Sequence, residues 1–124
     1  MRELEERTVC IDLDFTLCTH EGDYTLAQPV EGAQEALRAL REAGWVIVVQ
    51  TARHFNHWKT TVDWLAHHDL VYDQLVFGKP PARVYVDDRA IRFDGDWVRM
   101  VQQLEAIRRE GGPLPPAPST SDGA

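Results

Sequence analysis

The sequence predicts an α/β fold, a three-layer, Rossmann-like domain around a central parallel sheet with no cap domain. Three observations carry that prediction. Short apolar runs alternate along the chain with segments of helical periodicity, the pattern of βαβ units. Each apolar run ends in Gly or in a polar residue capable of chemistry. With 124 residues there is room for one domain and little else.

The chain opens on a charged stretch, Met1 to Arg7, without an apolar signal region. Val9 to Leu13 then reads as a nearly continuous apolar strand, as expected of one buried on both faces of a parallel sheet. Leu17 to Gln28 holds Gly22, Asp23 and scattered polar residues without periodicity, and is expected to form a flap or tight hairpin. Pro29 opens the next element, in which Ala33, Ala36, Leu37, Leu40 and Ala43 recur at helical spacing until Gly44 ends it.

Trp45 to Gln50, rich in β-branched residues, is the second strand and runs straight into Thr51. A second helix is expected over about Asn56 to His68, with Phe55, Trp58, Val62 and Leu65 along one side. Leu75 to Phe77 forms a short third strand, Gly78-Lys79-Pro80-Pro81 breaks the chain, and Val84 to Val86 forms a fourth strand ending in Asp87 and Asp88. Ile91 to Phe93 reads as a short edge strand. Asp96 is placed to cap a final helix in which Trp97, Val101 and Leu104 share a face. Beyond Gly111 the Pro-, Gly- and Ser-rich sequence cannot bury enough apolar surface to offset ordering. The folded domain is therefore expected over 1–110 and a disordered tail over 111–124.

Twenty acids against thirteen Lys and Arg give a net charge of -7, which argues against nucleic acid as a partner, since non-specific affinity for a polyanion comes from Lys and Arg. A phosphorylated substrate stays open, because a bound cation reverses the local field. Cys10 and Cys18 read as reduced core thiols rather than a disulfide framework. No apolar run approaches the length of a membrane span, so no membrane partner is expected and a cytoplasmic location is.

In open α/β sheets, ligands bind beyond the carboxyl ends of the strands. That rule singles out Asp12 and Asp14 after the first strand, Thr51 after the second, Lys79 after the third, and Asp87 with Asp88 after the fourth. Residues two apart on a strand face the same side, so Asp12 and Asp14 share one small volume in which like charges repel unless a cation intervenes. Phosphoryl transfer uses such groups. One carboxylate can attack phosphorus and a second can move the proton. Carboxylates together with substrate phosphate can hold magnesium, while the Lys79 ammonium and the Thr51 hydroxyl can steady the phosphoryl oxygens. Arg53 could bind a second anionic group of a substrate or serve as a structural ion pair. His54, His57, His67 and His68 read as surface or helix-end residues, without the further ligands a zinc site needs.

Asp12-Leu13-Asp14-Phe15-Thr16, Val48-Val49-Gln50-Thr51, Gly78-Lys79-Pro80 and Val84-Tyr85-Val86-Asp87-Asp88 together resemble the four motifs of the haloacid dehalogenase-like (HAD) hydrolase superfamily over about residues 8 to 96. The resemblance implies a magnesium-dependent phosphatase of the HAD-like fold, with Asp12 as nucleophile and Asp14 as general acid and base whose backbone carbonyl also binds the metal. It further implies Thr51 and Lys79 as phosphate-binding residues, Asp87 as a direct metal ligand and Asp88 as one acting directly or through water. Thr51-Ala52-Arg53 and the run from Tyr85 to Ile91 are also similar to small capless HAD phosphatases.

Neither gap between motifs accommodates a cap, so the site is expected to be open to its substrate or covered by a neighbouring subunit of a homo-oligomer. The implied substrate is a phosphate monoester, with a small molecule favoured over a macromolecule. Phe15 departs from the family, which often has Gly there, and raises the question of substrate size. A non-catalytic phosphate- or phosphoprotein-binding module on the same fold is the alternative. A receiver domain is disfavoured because Lys79 precedes the Asp87-Asp88 pair.

Overall fold

A computed structural model describes residues 2–110 of the chain. The elements in order are α1 (Arg2–Glu6), β1 (Thr8–Asp12), β2 (Cys18–Thr19), β3 (Gln28–Pro29), α2 (Ala33–Glu42), β4 (Val46–Thr51), α3 (Trp58–His67), β5 (Gln74–Phe77) and α4 (Trp97–Glu110). Single turns of tighter helix at Tyr24–Leu26 and Phe55–His57 precede β3 and α3. The strands β1, β4 and β5 form a parallel sheet in that spatial order, with β4 central. Helices flank the sheet, which makes this a small Rossmann-like α/β domain.

Strand β4 shows how sequence becomes core. Its residues Ile47, Val49 and Thr51 are buried, whereas Val46, Val48 and Gln50 are only partly so. One face of the sheet is thus sealed while the other retains exposure, ending in Cys10 of β1 and Gln74 and Val76 of β5. Helix α2 turns Ala33, Ala36, Leu37 and Leu40 inward against β4 and α4. Removing a leucine side chain from water contributes about 1.5–3 kcal/mol, so Leu37 and Leu40 alone stabilise this layer substantially. The helix stops at Gly44, whose φ of 96° suits glycine, with the Gly44 and Trp45 N–H groups donating back to Arg41 and Leu40. Asp96 caps α4 by accepting the Arg99 N–H at 3.0 Å, and Trp97, Met100 and Leu104 of that helix are buried.

Four expectations need correction. Val84 to Val86 forms no strand; Val84 and Val86 are 70% and 97% exposed. Ile91 to Phe93 forms none either, although both ends of that run pack against the core. β-branched composition favours a pleated strand only where a neighbour supplies the ladder. Tyr85 instead takes Lys79 over its ring and donates its hydroxyl to the Pro80 carbonyl, and Phe93 packs on Trp97. Strand β1 is not buried on both faces, because Cys10 points to the open side of the sheet and is exposed rather than a core thiol. The charged start is helical over Arg2–Glu6, an element without a periodic apolar signal. The segment 111–124, read as a tail, lies outside the described residues.

Candidate active site

The site lies at the carboxyl end of the sheet. Strand β1 delivers Asp12 there, and Leu13 extends the pairing by donating its N–H to the Gln50 carbonyl at 3.0 Å. The chain then reverses. The N–H groups of Leu17 and Cys18 both return to the Leu13 carbonyl, and Phe15 takes a φ of 65° at the tip. The flap that follows closes as a minimal antiparallel pair, Cys18 against Pro29 and Thr19 against Gln28. An indole secures each end of it. Trp97 Nε1 donates to the Thr16 carbonyl at 3.0 Å, and Trp64 Nε1 donates to the Ala27 carbonyl at 2.9 Å.

Asp12 faces the open side of this end, its side chain 32% exposed, with Lys79 Nζ at 3.4 Å from Oδ1. Burial pushes the Asp12 carboxyl above its ordinary value; the Lys79 ammonium and its hydrogen bond pull it back, and the nearby Asp14 charge adds to the rise. Lys79 is brought alongside by its own backbone, whose N–H donates to the Thr51 carbonyl at 3.1 Å just after β5 ends.

Asp14 has a different environment. Arg53 Nε reaches Oδ2 at 3.0 Å and Nη2 reaches Oδ1 at 2.7 Å, a two-pronged pairing with a side chain only 1% exposed. His20 Nε2 lies 3.2 Å from the same Oδ1. Because His20 Nδ1 accepts the Gly22 N–H, Nε2 is the nitrogen that carries the proton and donates to Asp14. The Cys18 thiol adds a contact at 3.5 Å, and burial, reinforced by the Asp14 charge, pushes that thiol up to about 12. Arg53 is held from its remaining sides by Thr61 Oγ1 at 3.0 Å and by the Tyr24 ring, whose centre lies 3.8 Å from Cζ.

The structure therefore brings together Asp12, Asp14, Thr51, Arg53 and Lys79. Arg53 is committed to Asp14 and not turned outward to an anion. Thr51 is buried, its hydroxyl accepting the Arg53 N–H at 3.0 Å within the turn after β4. Asp87 and Asp88 are exposed, with Asp87 accepting the N–H of its neighbour Arg89. Arg89 in turn reaches Glu5, which precedes the amino end of β1. Among the described residues no group of three or more His, Cys, Asp or Glu is arranged to hold a metal ion.

Sequence reasoning missed His20, Tyr24, Thr61 and the thiol of Cys18 as partners of the Asp14 cluster. The flap carries no periodicity, and its signal was chemical only, a His, a Gly, an Asp and a Tyr within a few residues of the acids. Beside the flap runs a surface groove of about 450 Å³ lined by Gly22, Asp23, Tyr24, Thr25, His57 and Thr60.

No family model matches the chain. No curated protein matches it either. Among solved structures the chain is similar to the crystal structure of a structural-genomics target from Vibrio cholerae, with a TM-score of 0.66 and 25% identity, covering 86% of this chain and 99% of that one. That likeness shows the fold. Among the described residues no helix is long and apolar enough to cross a membrane.

Proposed function

We propose that the chain hydrolyses a phosphate monoester through an aspartyl phosphate on Asp12. The observation that carries this reading is the Asp12–Lys79 pair, an accessible carboxylate at a strand end with an ammonium 3.4 Å away. The order of motifs, which resembles that of the HAD superfamily, supports it as well. In the first half reaction an Asp12 oxygen forms a bond to phosphorus while the bond to the leaving oxygen breaks, and Asp14 gives that oxygen its proton. In the second half, water attacks the same phosphorus, Asp14 takes the proton of the water, and the Asp12 carboxylate is released. Lys79 offsets the charge that gathers on the phosphoryl oxygens.

Three donors converge on Asp14 and occupy its oxygens, so the proton steps proposed for it require at least one of these contacts to open. Arg53 is a positioning residue that aims this carboxylate, and Thr51 holds the turn from which Arg53 departs. Magnesium is the proposed cofactor, and what it would supply is charge neutralisation on the transferring group. Of the four carboxylates proposed to hold it, Asp87 and Asp88 are exposed, Asp12 is partly exposed beside Lys79, and Asp14 is engaged by Arg53.

The commitment of both Asp14 oxygens to Arg53 and His20 favours a second reading, a non-catalytic module that binds phosphate or a phosphorylated protein. One experiment separates the two. Phosphate release is followed with and without magnesium over phosphorylated sugars, nucleotides and peptides, for the wild type and for Asp12→Asn. Hydrolysis abolished by that substitution supports the enzyme. Its absence from every substrate, or its survival in Asp12→Asn, sinks the mechanism.

A further inference from the structure

Two aromatic side chains stand exposed beside the paired acids, each past a different strand end. Phe15 follows Asp14 directly and is 64% exposed, and Tyr85 follows Lys79 and is 48% exposed. Each is tied to the site by one contact. The Phe15 ring lies 5.1 Å from the His20 ring, whose Nε2 touches Asp14. The Tyr85 ring lies 4.2 Å from Lys79 Nζ, which touches Asp12.

Phe15 is the informative one. Its φ of 65° belongs to the left-handed region, where glycine is at ease and a bulky side chain is strained. The ring gains little from burial in return. A strained backbone that holds a large apolar ring in water beside reactive groups serves neither folding nor solubility, and such strain gathers at ligand sites. The Lys79 ammonium already occupies one face of Tyr85, so that ring and the charge it carries form a single wall suited to a phosphate with a flat group attached.

We propose that Phe15 and Tyr85 select phosphate monoesters whose leaving group carries an aromatic ring, which stacks on this rim while the phosphoryl group meets Asp12 and Lys79. The inference rests on the phosphatase reading and names the substrate class for it. The shared chemistry is the ring, supplied by a nucleoside 5′-monophosphate or by an aryl phosphate.

The test reads binding separately from turnover. On Asp12→Asn, binding of adenosine 5′-monophosphate, p-nitrophenyl phosphate and glucose 6-phosphate is measured by calorimetry, alone and combined with Phe15→Gly or Tyr85→Ala. Stacking of one ring corresponds to a preference of roughly tenfold over the sugar phosphate, and each added substitution is expected to shrink that ratio toward one. Phe15→Gly should also raise the melting temperature by relieving the backbone, so its loss of preference cannot come from unfolding. A preference for the nucleotide alone puts the ring one ribose from phosphorus, and a preference for the aryl ester alone puts it on the ester oxygen; both support the inference. Equal binding of all three ligands, or a preference that survives both substitutions, overturns it whatever the wild type hydrolyses. A binding preference without any hydrolysis overturns the phosphatase reading instead.

Discussion

Arg53 grips both oxygens of Asp14, at 3.0 Å through Nε and 2.7 Å through Nη2, while Asp12, two residues earlier, meets only the tip of Lys79 at 3.4 Å. Two carboxylates from one short stretch are thereby given opposite energetic characters. One belongs to the fold and the other is held against its preference.

For Asp14 the consequence is structural. Removing one member of a buried ion pair leaves the other charge uncompensated, at a cost of about 3–5 kcal/mol. Asp14 is 19% exposed, so Asp14→Ala is expected near the lower end of that range in a urea denaturation. Lysine lacks the two-pronged geometry, and Arg53→Lys should recover only part of the loss seen in Arg53→Ala. Wild-type stability in Asp14→Ala would show that the pair contributes nothing to the fold.

Asp12 should behave in the opposite way. Its carboxyl is raised above 3.8 chiefly by burial, so the folded protein binds this proton more tightly than the unfolded chain does. The charged form therefore destabilises the fold at neutral pH, and the penalty disappears as pH falls below 3.8. Asp12→Asn is expected to melt above the wild type at pH 7 in metal-free buffer, with the difference closing under acid. A lower melting temperature at pH 7 would mean that the Lys79 attraction outweighs burial.

The two thiols provide a check on the sheet. Cys10 is exposed on the open face, and Cys18 is buried against Asp14 and Arg53 with its thiol pushed up to about 12. A thiolate is the reactive form, so Cys18 should be inert in the native protein. One equivalent of a thiol reagent is expected to react under native conditions and a second only in denaturant. Two rapid equivalents would contradict the burial of Cys18.

The proposed magnesium dependence places a demand on the chain between Val84 and Asp88. Among the described residues strand β1 pairs with β4 on one side, and its other edge carries no strand. Pairing of Val84 to Val86 along that edge, parallel to β1, would carry Asp87 and Asp88 toward Asp12. Amide hydrogen exchange over 84–88 should slow in millimolar magnesium. Unchanged exchange beside an unchanged rate would remove these acids from the metal site.

The parallel sheet was legible because Val9 to Leu13, Trp45 to Gln50 and Leu75 to Phe77 each need a neighbour to bury them, and the intervening helix patterns impose parallel connections. Asp96 and Gly44 were legible as helix ends because capping is local chemistry. The partner of Arg53 was not legible, since a guanidinium beside a strand end suits a phosphate as well as a carboxylate, and only tertiary placement of Asp14 decides. Val84 to Val86 failed for the complementary reason. Its composition states a capacity to pair and says nothing about whether a partner is within reach. The strain at Phe15 was invisible as such, because a backbone angle set by hydrogen bonds to Leu13 and Cys18 leaves no mark in composition.

The indole bonds from Trp97 to Thr16 and from Trp64 to Ala27 give the flap an unusual mechanical status. Its roots are fastened to α4 and α3, while Tyr24 leans on Arg53 between them. The loop therefore cannot lift as a free lid. Its aperture follows the separation of the amino end of α4 from the second half of α3, and the same two tryptophans would report that movement as a change in their own fluorescence.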